Sequence, residues 1–359
     1  MDDPQTKVGS GGATLNALLV VTEYLSAQAG HTVATAETLE TASVLVLHLG
    51  GSFPCDPCGK AFTTFGAITS TADSRLLTCN VDHLLTTMGR LSNGAPPGVW
   101  VCSTEMLLSL PAVVDIDWTG KAAGMTVISC MGGIDYAQQH GVYKIDAASG
   151  QVEALLYKQP LADLRDAVIP GEAGDDQVSP LHCVVASSCN RACSTPKPAL
   201  ALRPQVALVS GIVRMCPATA ERLLSLHTVP PLDACTYIGL DNGAEPLALS
   251  LFLDIVAAMA TAMNQEQFVG RSGTDDLFIR ARTILFRRVH NVPLNPIVIH
   301  GARHVYMPLT CRQHAVNLFS ASPLRGEDEN VAETPSTPAA KRTWGPLTHV
   351  VSLWFAACG

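Results

Sequence analysis

Four short apolar segments constrain the fold of this chain more than any other feature of its sequence. Each is apolar at successive positions rather than at every second one, which is typical of strands buried on both faces of a sheet. Glycine or polar residues follow each segment, and helix-like segments lie between them. This pattern predicts an α/β fold with an open sheet, in which a ligand lies beyond the carboxyl ends of the strands. The segments are residues 44–47, 98–103, 125–130 and 206–211.

The charge and hydropathy of the chain exclude two classes of partner. The 359 residues carry a formal net charge of −8, whereas a nucleic-acid surface needs a basic stripe. The most apolar long stretch, residues 247–263, has Asp254 at its middle, so we expect a buried helix there rather than a membrane span. The first residues lack the basic flank and apolar region of a secretory signal. We therefore predict a cytoplasmic protein with no nucleic-acid or membrane partner; the sequence does not indicate its oligomeric state.

The chain has 12 cysteines, and two of them are spaced as zinc ligands often are. Cys55 and Cys58 form a CxxC pair, but a structural zinc needs four protein ligands. Neither a second CxxC pair nor a histidine pair at ligand spacing accompanies them. We expect no zinc.

The first chemical motif is the glycine-rich run KVGSGGAT at residues 7–14, which opens onto an apolar helix. Gly9, Gly11 and Gly12 would let the backbone turn its N–H groups inward, and the helix would add its positive end, a combination that binds phosphate. Thr14 could cap the helix or contact a phosphate. The alternative is a flexible turn before a helix.

The second motif follows the segment at 44–47 and reads HLGGSFP, then GKAF. A strand end, the pair Gly50 and Gly51, a variable loop and then Gly59 and Lys60 together predict a phosphate clamp. Lys60 would act as a point charge on a nucleotide phosphate. Alternatively, Lys60 is a solvated loop lysine and His48 is a core histidine.

Taken together, these strings resemble the N-terminal, GDP-fucose pyrophosphorylase-like region of the L-fucokinase family. The resemblance continues through GVWVCSTEMLLSLP, YAQQHGVY, VALVSGIV, AERLLSLHTVPPLDACTYIGLDNGA and LSLFLDI, over residues 1–180 and 206–319. It implies a Rossmann-like open sheet of the sugar-nucleotidyltransferase type. The domain would span residues 1–319, with an atypical insertion at 181–205 and an unassigned tail at 320–359 that we expect to be disordered or aberrant.

The resemblance also implies the ligands and the chemistry. In active members a nucleoside triphosphate, GTP or ATP, meets a sugar 1-phosphate above the strand ends, and Mg²⁺ neutralises phosphate charge. The sugar phosphate attacks the α-phosphorus, and pyrophosphate leaves. The ligands of this chain would be such a nucleotide with fucose or fucose 1-phosphate.

The resemblance assigns candidate roles to individual residues. Glu105 alternatively caps a helix that starts at Met106, and Asp254 alternatively pairs with an arginine such as Arg222. The roles implied are catalysis for Lys60 and Lys158, nucleotide binding for Gly9, Gly11, Gly12, Thr14, Gly50, Gly51 and Lys60, sugar binding for His140 and Asp254, and metal binding for Glu105.

Departures from the family pattern leave three hypotheses. The loop at residues 52–58 has no arginine, although active pyrophosphorylases grip the triphosphate with one there. The strand expected before Gly9 and the phosphate loop of the family's kinase module are not found, so we expect a piece of a longer protein. The chain is then the non-kinase part of an L-fucokinase, a fucose-1-phosphate guanylyltransferase, or a binding module without catalysis.

Overall fold

A computed structural model describes residues 7–49, 59–65, 78–169, 204–271, 273, 275–307 and 349–353. Its strands confirm the α/β pattern, because all four predicted segments are strands. Residues 98–103 match the prediction at both ends, and the other three strands extend beyond it. The strands are β1 (Ser43–His48), β2 (Thr64–Phe65), β3 (Thr78–Cys79), β4 (Gly98–Ser103), β5 (Met106–Ser109), β6 (Met125–Gly133), β7 (Gly141–Ile145), β8 (Val152–Tyr157), β9 (Gln205–Met215), β10 (Leu294–Ile299), β11 (Arg303–Tyr306) and β12 (His349–Leu353).

The helices lie between these strands. Short 3₁₀-helices occur at Ala36–Leu39, Arg165–Ala167, Ser225–Thr228 and Leu232–Cys235, and Leu251–Val256 is a π-helix. The helices are α1 (Gly9–Gln28), α2 (Gly59–Phe62), α3 (Asn80–Leu91), α4 (Ile134–Ala137), α5 (Leu161–Leu164), α6 (Pro217–Leu224), α7 (Tyr237–Asp241), α8 (Ala257–Met259), α9 (Gln265–Gly270) and α10 (Asp276–Val289).

The central sheet has the order β10-β6-β9-β4-β1-β12, with β7 and β8 attached beside β9. β12, β1 and β4 are mutually parallel, as are β10 and β6. β9 runs antiparallel to both β4 and β6, so β1, β4, β6 and β10 all point the same way. Their carboxyl ends therefore share one edge of the sheet, which we call the carboxyl edge.

Alternate residues of the central strands pack into separate cores on the two faces of the sheet. Val44 and Val46 of β1 join a core that includes the leucines of α1. Leu45 and Leu47 join a second core with Leu84 of α3. Side chains alternate across a strand, so a strand covered on both faces must be apolar throughout, which explains the continuous apolar segments.

Three features differ from the sequence prediction or add to it. β9 is antiparallel, although the run at 206–211 looks like the parallel strands; burial on both faces sets composition and not direction. Residues 106–109 form strand β5 paired with β11, so the alternative that Glu105 caps a helix at Met106 is wrong. Residues 349–353 form β12 beside β1, so the expectation of a disordered or aberrant tail is wrong for this segment.

Candidate active site

Lys60 and Glu105 form an ion pair at the carboxyl edge. Glu105 follows β4 and Lys60 lies in α2, and Lys60 Nζ is 2.6 Å from Glu105 Oε1. The lysine side chain is only 4% exposed, whereas the glutamate is 30% exposed. A buried ammonium needs a nearby negative group, and Glu105 provides one in this conformation.

A set of side-chain to backbone hydrogen bonds holds this ion pair in place. The Thr104 hydroxyl donates to the Leu49 carbonyl at 2.6 Å, which ties the end of β4 to the end of β1. The Asn80 amide donates to the Thr104 carbonyl and, at 3.4 Å, to the Lys60 carbonyl. The ends of β1 and β4 and the start of α3 therefore fix where Lys60 and Glu105 lie.

Lys158 has an unusual backbone conformation just after β8. Its φ is +50°, the only positive φ among the non-glycine residues of the described part. The left-handed region is costly for a residue with a Cβ, and such residues occur disproportionately at functional sites. The Lys158 N–H donates to the His140 carbonyl at 3.0 Å, and its Nζ lies 5.1 Å from the centre of the Tyr157 ring.

Four aromatic side chains, which we call the ring cluster, lie between the two lysines: Tyr136, His140, His304 and Tyr306. The Tyr136 and His140 rings are 4.1 Å apart and tilted by 33°, and His140 is 5.4 Å from His304 and 6.1 Å from Tyr306. Lys60 Nζ lies 5.8 Å from the centre of the Tyr306 ring. The ring cluster thus joins the Lys60 side of the carboxyl edge to the Lys158 side.

The members of the ring cluster are uncharged at neutral pH. Burial lowers the pKa of His140, and the Lys158 ammonium lowers it further. Burial, with a smaller effect of His140, lowers the pKa of His304 to about 3. Burial raises the pKa of Tyr136 to about 12, and burial together with Glu105 raises that of Tyr306. The site is therefore a neutral aromatic surface beside two cations.

The glycine-rich run lies inside α1 rather than in a loop before it. Gly9 has a φ of +69°, and a Cβ built on Gly9 or Gly11 would come within 3 Å of the backbone of Leu249 or Ser250. The Gly11 N–H donates to the Leu249 carbonyl at 2.8 Å. Gly9 and Gly11 therefore allow close packing of α1 against the segment before the π-helix. A Cβ on Gly12 would also have too little space. Phosphate binding by this run stays a prediction.

Thr14 reaches the carboxyl end of β1 but is fully buried. Its hydroxyl donates to the Ser10 carbonyl at 2.8 Å and lies 3.0 Å from His48 Nε2. Because the hydroxyl proton is already used, the His48 Nε2–H must be the donor to Thr14. Burial lowers the pKa of His48 to about 4, so it is a neutral core histidine, as the alternative interpretation held. Gly50 and Gly51 lie outside the described residues.

Asp254 is bound within the protein. It lies in the π-helical turn, its Oδ1 is 2.9 Å from Arg282 Nε, and its Oδ2 accepts from the Ser250 N–H at 2.7 Å. The side chain is 4% exposed. The arginine pairing that the sequence left open exists, but with Arg282 rather than Arg222. Sugar binding by Asp254 stays a prediction, because no contact among the described residues joins Asp254 to the ring cluster.

Glu105 has the chemistry expected of a magnesium ligand. Within the described ranges, His, Cys, Asp and Glu side chains form no group of three that could hold a metal ion. Mg²⁺ often binds through one or two carboxylates together with substrate phosphates. A half-buried carboxylate at a strand end fits that mode, in which the nucleotide would supply the other oxygens.

The fold and site define an α/β domain of the nucleotidyltransferase type, with an open mixed sheet and cationic side chains at its carboxyl edge. The family model described as "Fucose pyrophosphorylase domain" matches residues 36–342, and the chain belongs to that family. It is thus a fucose-related, nucleotidyltransferase-like protein whose family implies binding of a nucleotide and a sugar phosphate. A comparison with curated proteins found no match. None of the described helices has the length and hydropathy needed to cross a membrane.

The structure brings together four of the predicted site residues: Lys60, Glu105, His140 and Lys158. The sequence analysis did not identify Tyr136, His304 or Tyr306, all of which the structure adds. The spacing of Tyr136 and His140, four residues apart, was a weak signal that their side chains lie close together. Nothing in the sequence pointed to β11, because its place depends on pairing with β5 nearly 200 residues earlier.

Proposed function

We propose that the carboxyl edge binds a nucleoside triphosphate, GTP or ATP, together with fucose 1-phosphate, and joins them into a nucleotide sugar. The observation that carries the proposal is the gathering of Lys60, Glu105 and Lys158 around one neutral aromatic surface. Lys60 would contact the triphosphate, and Lys158 would contact the phosphate of the sugar. The family match supports the ligand classes, and the choice of fucose rests on the family and the sequence resemblance.

The chemistry requires positioning more than proton transfer. An oxygen of the sugar phosphate would attack the α-phosphorus, and the bond from that phosphorus to the bridging oxygen of the β-phosphate would break. Pyrophosphate would leave with the electron pair, so no side chain has to act as an acid or a base. The two lysines would hold the reacting phosphates in line and stabilise the charge that develops between them. Mg²⁺ bound by Glu105 and the phosphates would supply further charge neutralisation.

Release of the Lys60–Glu105 contact would accompany nucleotide binding. Lys60 is buried and donates to Glu105. A triphosphate could take the place of Glu105 as the partner of Lys60, which leaves the carboxylate free to bind the metal. The same ion pair would therefore serve to keep both groups in position before the substrates arrive.

The wider setting is also a proposal. The resemblance supports placing this domain beside a kinase module in an L-fucokinase that makes fucose 1-phosphate from fucose and ATP. Cytoplasmic location is supported by five free cysteines in the described part, of which Cys102, Cys130, Cys216 and Cys235 are buried, because secreted domains tend to pair theirs.

One observation favours a second candidate, a binding module without turnover. The loop at residues 52–58 lacks the arginine of active pyrophosphorylases. Loss of one such contact costs about 3–4 kcal/mol of transition-state stabilisation on the scale of an oxyanion-hole donor. That loss would slow the chemical step by a factor of several hundred without abolishing binding.

Pyrophosphate release separates the two candidates. The full chain is mixed with Mg²⁺, fucose 1-phosphate and either GTP or ATP, and the product is followed with time. Turnover that disappears in Lys60→Met but persists in Lys144→Met supports the transferase. Lys144 forms a half-buried ion pair with Glu153 elsewhere on the sheet. Thermal stabilisation by both ligands without turnover supports the binding module. If neither ligand stabilises the chain, both candidates are wrong.

A further inference from the structure

We propose that the ring cluster, through Tyr136, His140 and Tyr306, holds the pyranose ring of the sugar 1-phosphate rather than the base of the nucleotide. This inference rests on the proposed function and assigns a ligand to Tyr136 and Tyr306, which the sequence did not identify, beside His140, for which the resemblance implied sugar binding. Four observations carry it.

The first observation is the distance of the ring cluster from the two cations. Lys60 Nζ lies 5.8 Å from the centre of the Tyr306 ring, and the Lys158 N–H donates to the His140 carbonyl. In a sugar 1-phosphate the pyranose is bonded directly to a phosphate oxygen. In a nucleoside triphosphate the ribose and the α-phosphate separate the base from the terminal phosphates. Rings that lie this near Lys60 and next to the backbone of Lys158 are therefore closer to the expected phosphate positions than a base would be, which suits the sugar.

The second observation is the shape of the surface. Neighbouring rings in the cluster are tilted against one another by 33°, 60°, 67° and 82°. A purine stacks best on a flat ring parallel to itself. A set of tilted rings instead matches a saturated ring, whose C–H groups point in several directions. The Tyr136 side chain, at the rim of the ring cluster, remains 39% exposed.

The third observation is the hydrogen-bonding capacity of His140. Within the described residues, neither of its ring nitrogens makes a hydrogen bond, although the ring is half-buried among aromatic neighbours. A neutral imidazole offers one donor and one acceptor, which matches a hydroxyl group. A phosphate oxygen only accepts, so it would use the donor and leave the acceptor nitrogen of His140 without a partner.

The fourth observation is the support behind these rings. His304 lies 3.3 Å from the Tyr136 hydroxyl through Nδ1 and 3.0 Å from Met106 Sδ through Nε2. Since the thioether is a weak acceptor, the arrangement favours a proton on Nε2 and a hydrogen bond from Tyr136 to Nδ1. His304 thereby fixes the orientation of Tyr136 from behind and is not itself a ligand contact.

The test compares three ligands on the full chain by calorimetry: fucose 1-phosphate, inorganic phosphate, and GTP or ATP with Mg²⁺. In His140→Phe, which keeps a ring but loses both nitrogens, we expect the affinity for fucose 1-phosphate to fall about tenfold, as for a lost hydrogen bond in a half-buried site. Affinities for inorganic phosphate and for the nucleotide should change by less than about twofold on the same reasoning. In His140→Gln, which restores a donor and an acceptor, part of the loss should be recovered.

Two further variants keep the inference falsifiable. Tyr136→Leu, which removes the rim ring, should weaken fucose 1-phosphate and spare inorganic phosphate. His31→Phe is the matched control, because His31 is exposed beyond the far end of α1, and it should leave all three affinities unchanged. Melting curves identify any variant that does not fold, in which case the Tyr136 variant decides.

Each outcome has a distinct meaning. If the nucleotide is weakened in His140→Phe and fucose 1-phosphate is not, the ring cluster holds the base and the inference is wrong. If all affinities stay as in the unmodified chain, the ring cluster holds neither ligand and the inference is again wrong. If the unmodified chain binds no fucose 1-phosphate at all, the proposed function fails and this inference fails with it.

Discussion

The free-energy cost of the backbone conformation of Lys158 can be measured separately from the effect of its charge. With a φ of +50°, the residue occupies a region that costs a side chain with a Cβ about 1–2 kcal/mol. Glycine escapes this cost. Lys158→Gly and Lys158→Ala both remove the ammonium, but only the alanine variant keeps the Cβ. The pair therefore separates backbone strain from ligand binding.

The expected difference follows from two opposing terms. Glycine gains about 1–2 kcal/mol from release of the left-handed strain and loses about 0.4–1 kcal/mol because its unfolded chain is more flexible. Lys158→Gly should therefore be more stable than Lys158→Ala by about 0.5–1 kcal/mol. For a domain of this size that difference corresponds to about 2 °C in melting temperature.

Calorimetric melting and fucose 1-phosphate titration of the same samples give both quantities. Both variants should bind fucose 1-phosphate at least about tenfold more weakly than the unmodified chain, since a charge-assisted hydrogen bond is worth about 1.5–3 kcal/mol. A melting temperature for Lys158→Gly below that for Lys158→Ala, as expected of glycine at an ordinary position, would show that the residue is not strained. Unchanged binding in both would show that Lys158 does not contact the sugar phosphate.

Three other substitutions, one of them with a matched control variant, test separate parts of the account. Without metal, Glu105→Gln should tighten nucleotide binding by about 1 kcal/mol, or about fivefold, because a negative charge beside the phosphates is lost and Lys60 is released. With Mg²⁺ present, the same variant should bind the nucleotide more weakly. Calorimetry with and without EDTA measures both affinities. Asp254→Asn should lower the free energy of unfolding by about 2 kcal/mol, since it removes the charge of a buried carboxylate that accepts a hydrogen bond from Arg282, and should leave ligand affinities unchanged. Gly11→Ala should destabilise by about 1–3 kcal/mol through overpacking, whereas Gly89→Ala, in an open position of α3, should stabilise by about 0.5–1 kcal/mol; urea denaturation compares the two.

Opposite results would each remove one interpretation. Weaker metal-free nucleotide binding in Glu105→Gln would mean that Glu105 does not compete with phosphate for Lys60. A loss of sugar-phosphate affinity in a folded Asp254→Asn protein would restore the predicted sugar contact of that residue. A neutral Gly11→Ala substitution would show that the glycine is not needed for close packing and would favour a role in phosphate binding.

The sequence predicted the strands well because burial on both faces leaves a local signal. The segments at 44–47 and 98–103 needed no knowledge of their neighbours, since each residue faces one apolar layer or the other. The direction of β9 left no such signal, because a parallel and an antiparallel strand in the middle of a covered sheet have the same composition. Only the pairing with β4 and β6 decides it.

The candidate site was predictable where a residue lies beside a strand end and not where it depends on distant packing. Lys60 and Glu105 follow recognisable motifs, so their meeting at the carboxyl edge could be anticipated. The glycine-rich run was mistaken for a loop because the reason for its glycines, the backbone at Leu249, lies far away in the chain. Tyr306 was missed for the same reason, because β11 has no pattern that marks it apart from its partner strand.

The most direct test of the account is the binding of both ligands at the site around Lys60. Titration of the full chain with GTP or ATP, with Mg²⁺ and fucose 1-phosphate present, should give saturable binding that falls at least about tenfold in Lys60→Met, because a charge-assisted contact to phosphate is lost. Lys144→Met should bind as the unmodified chain does. Equal nucleotide affinity in the folded Lys60→Met protein would contradict the account, since it would place the nucleotide away from the carboxyl edge.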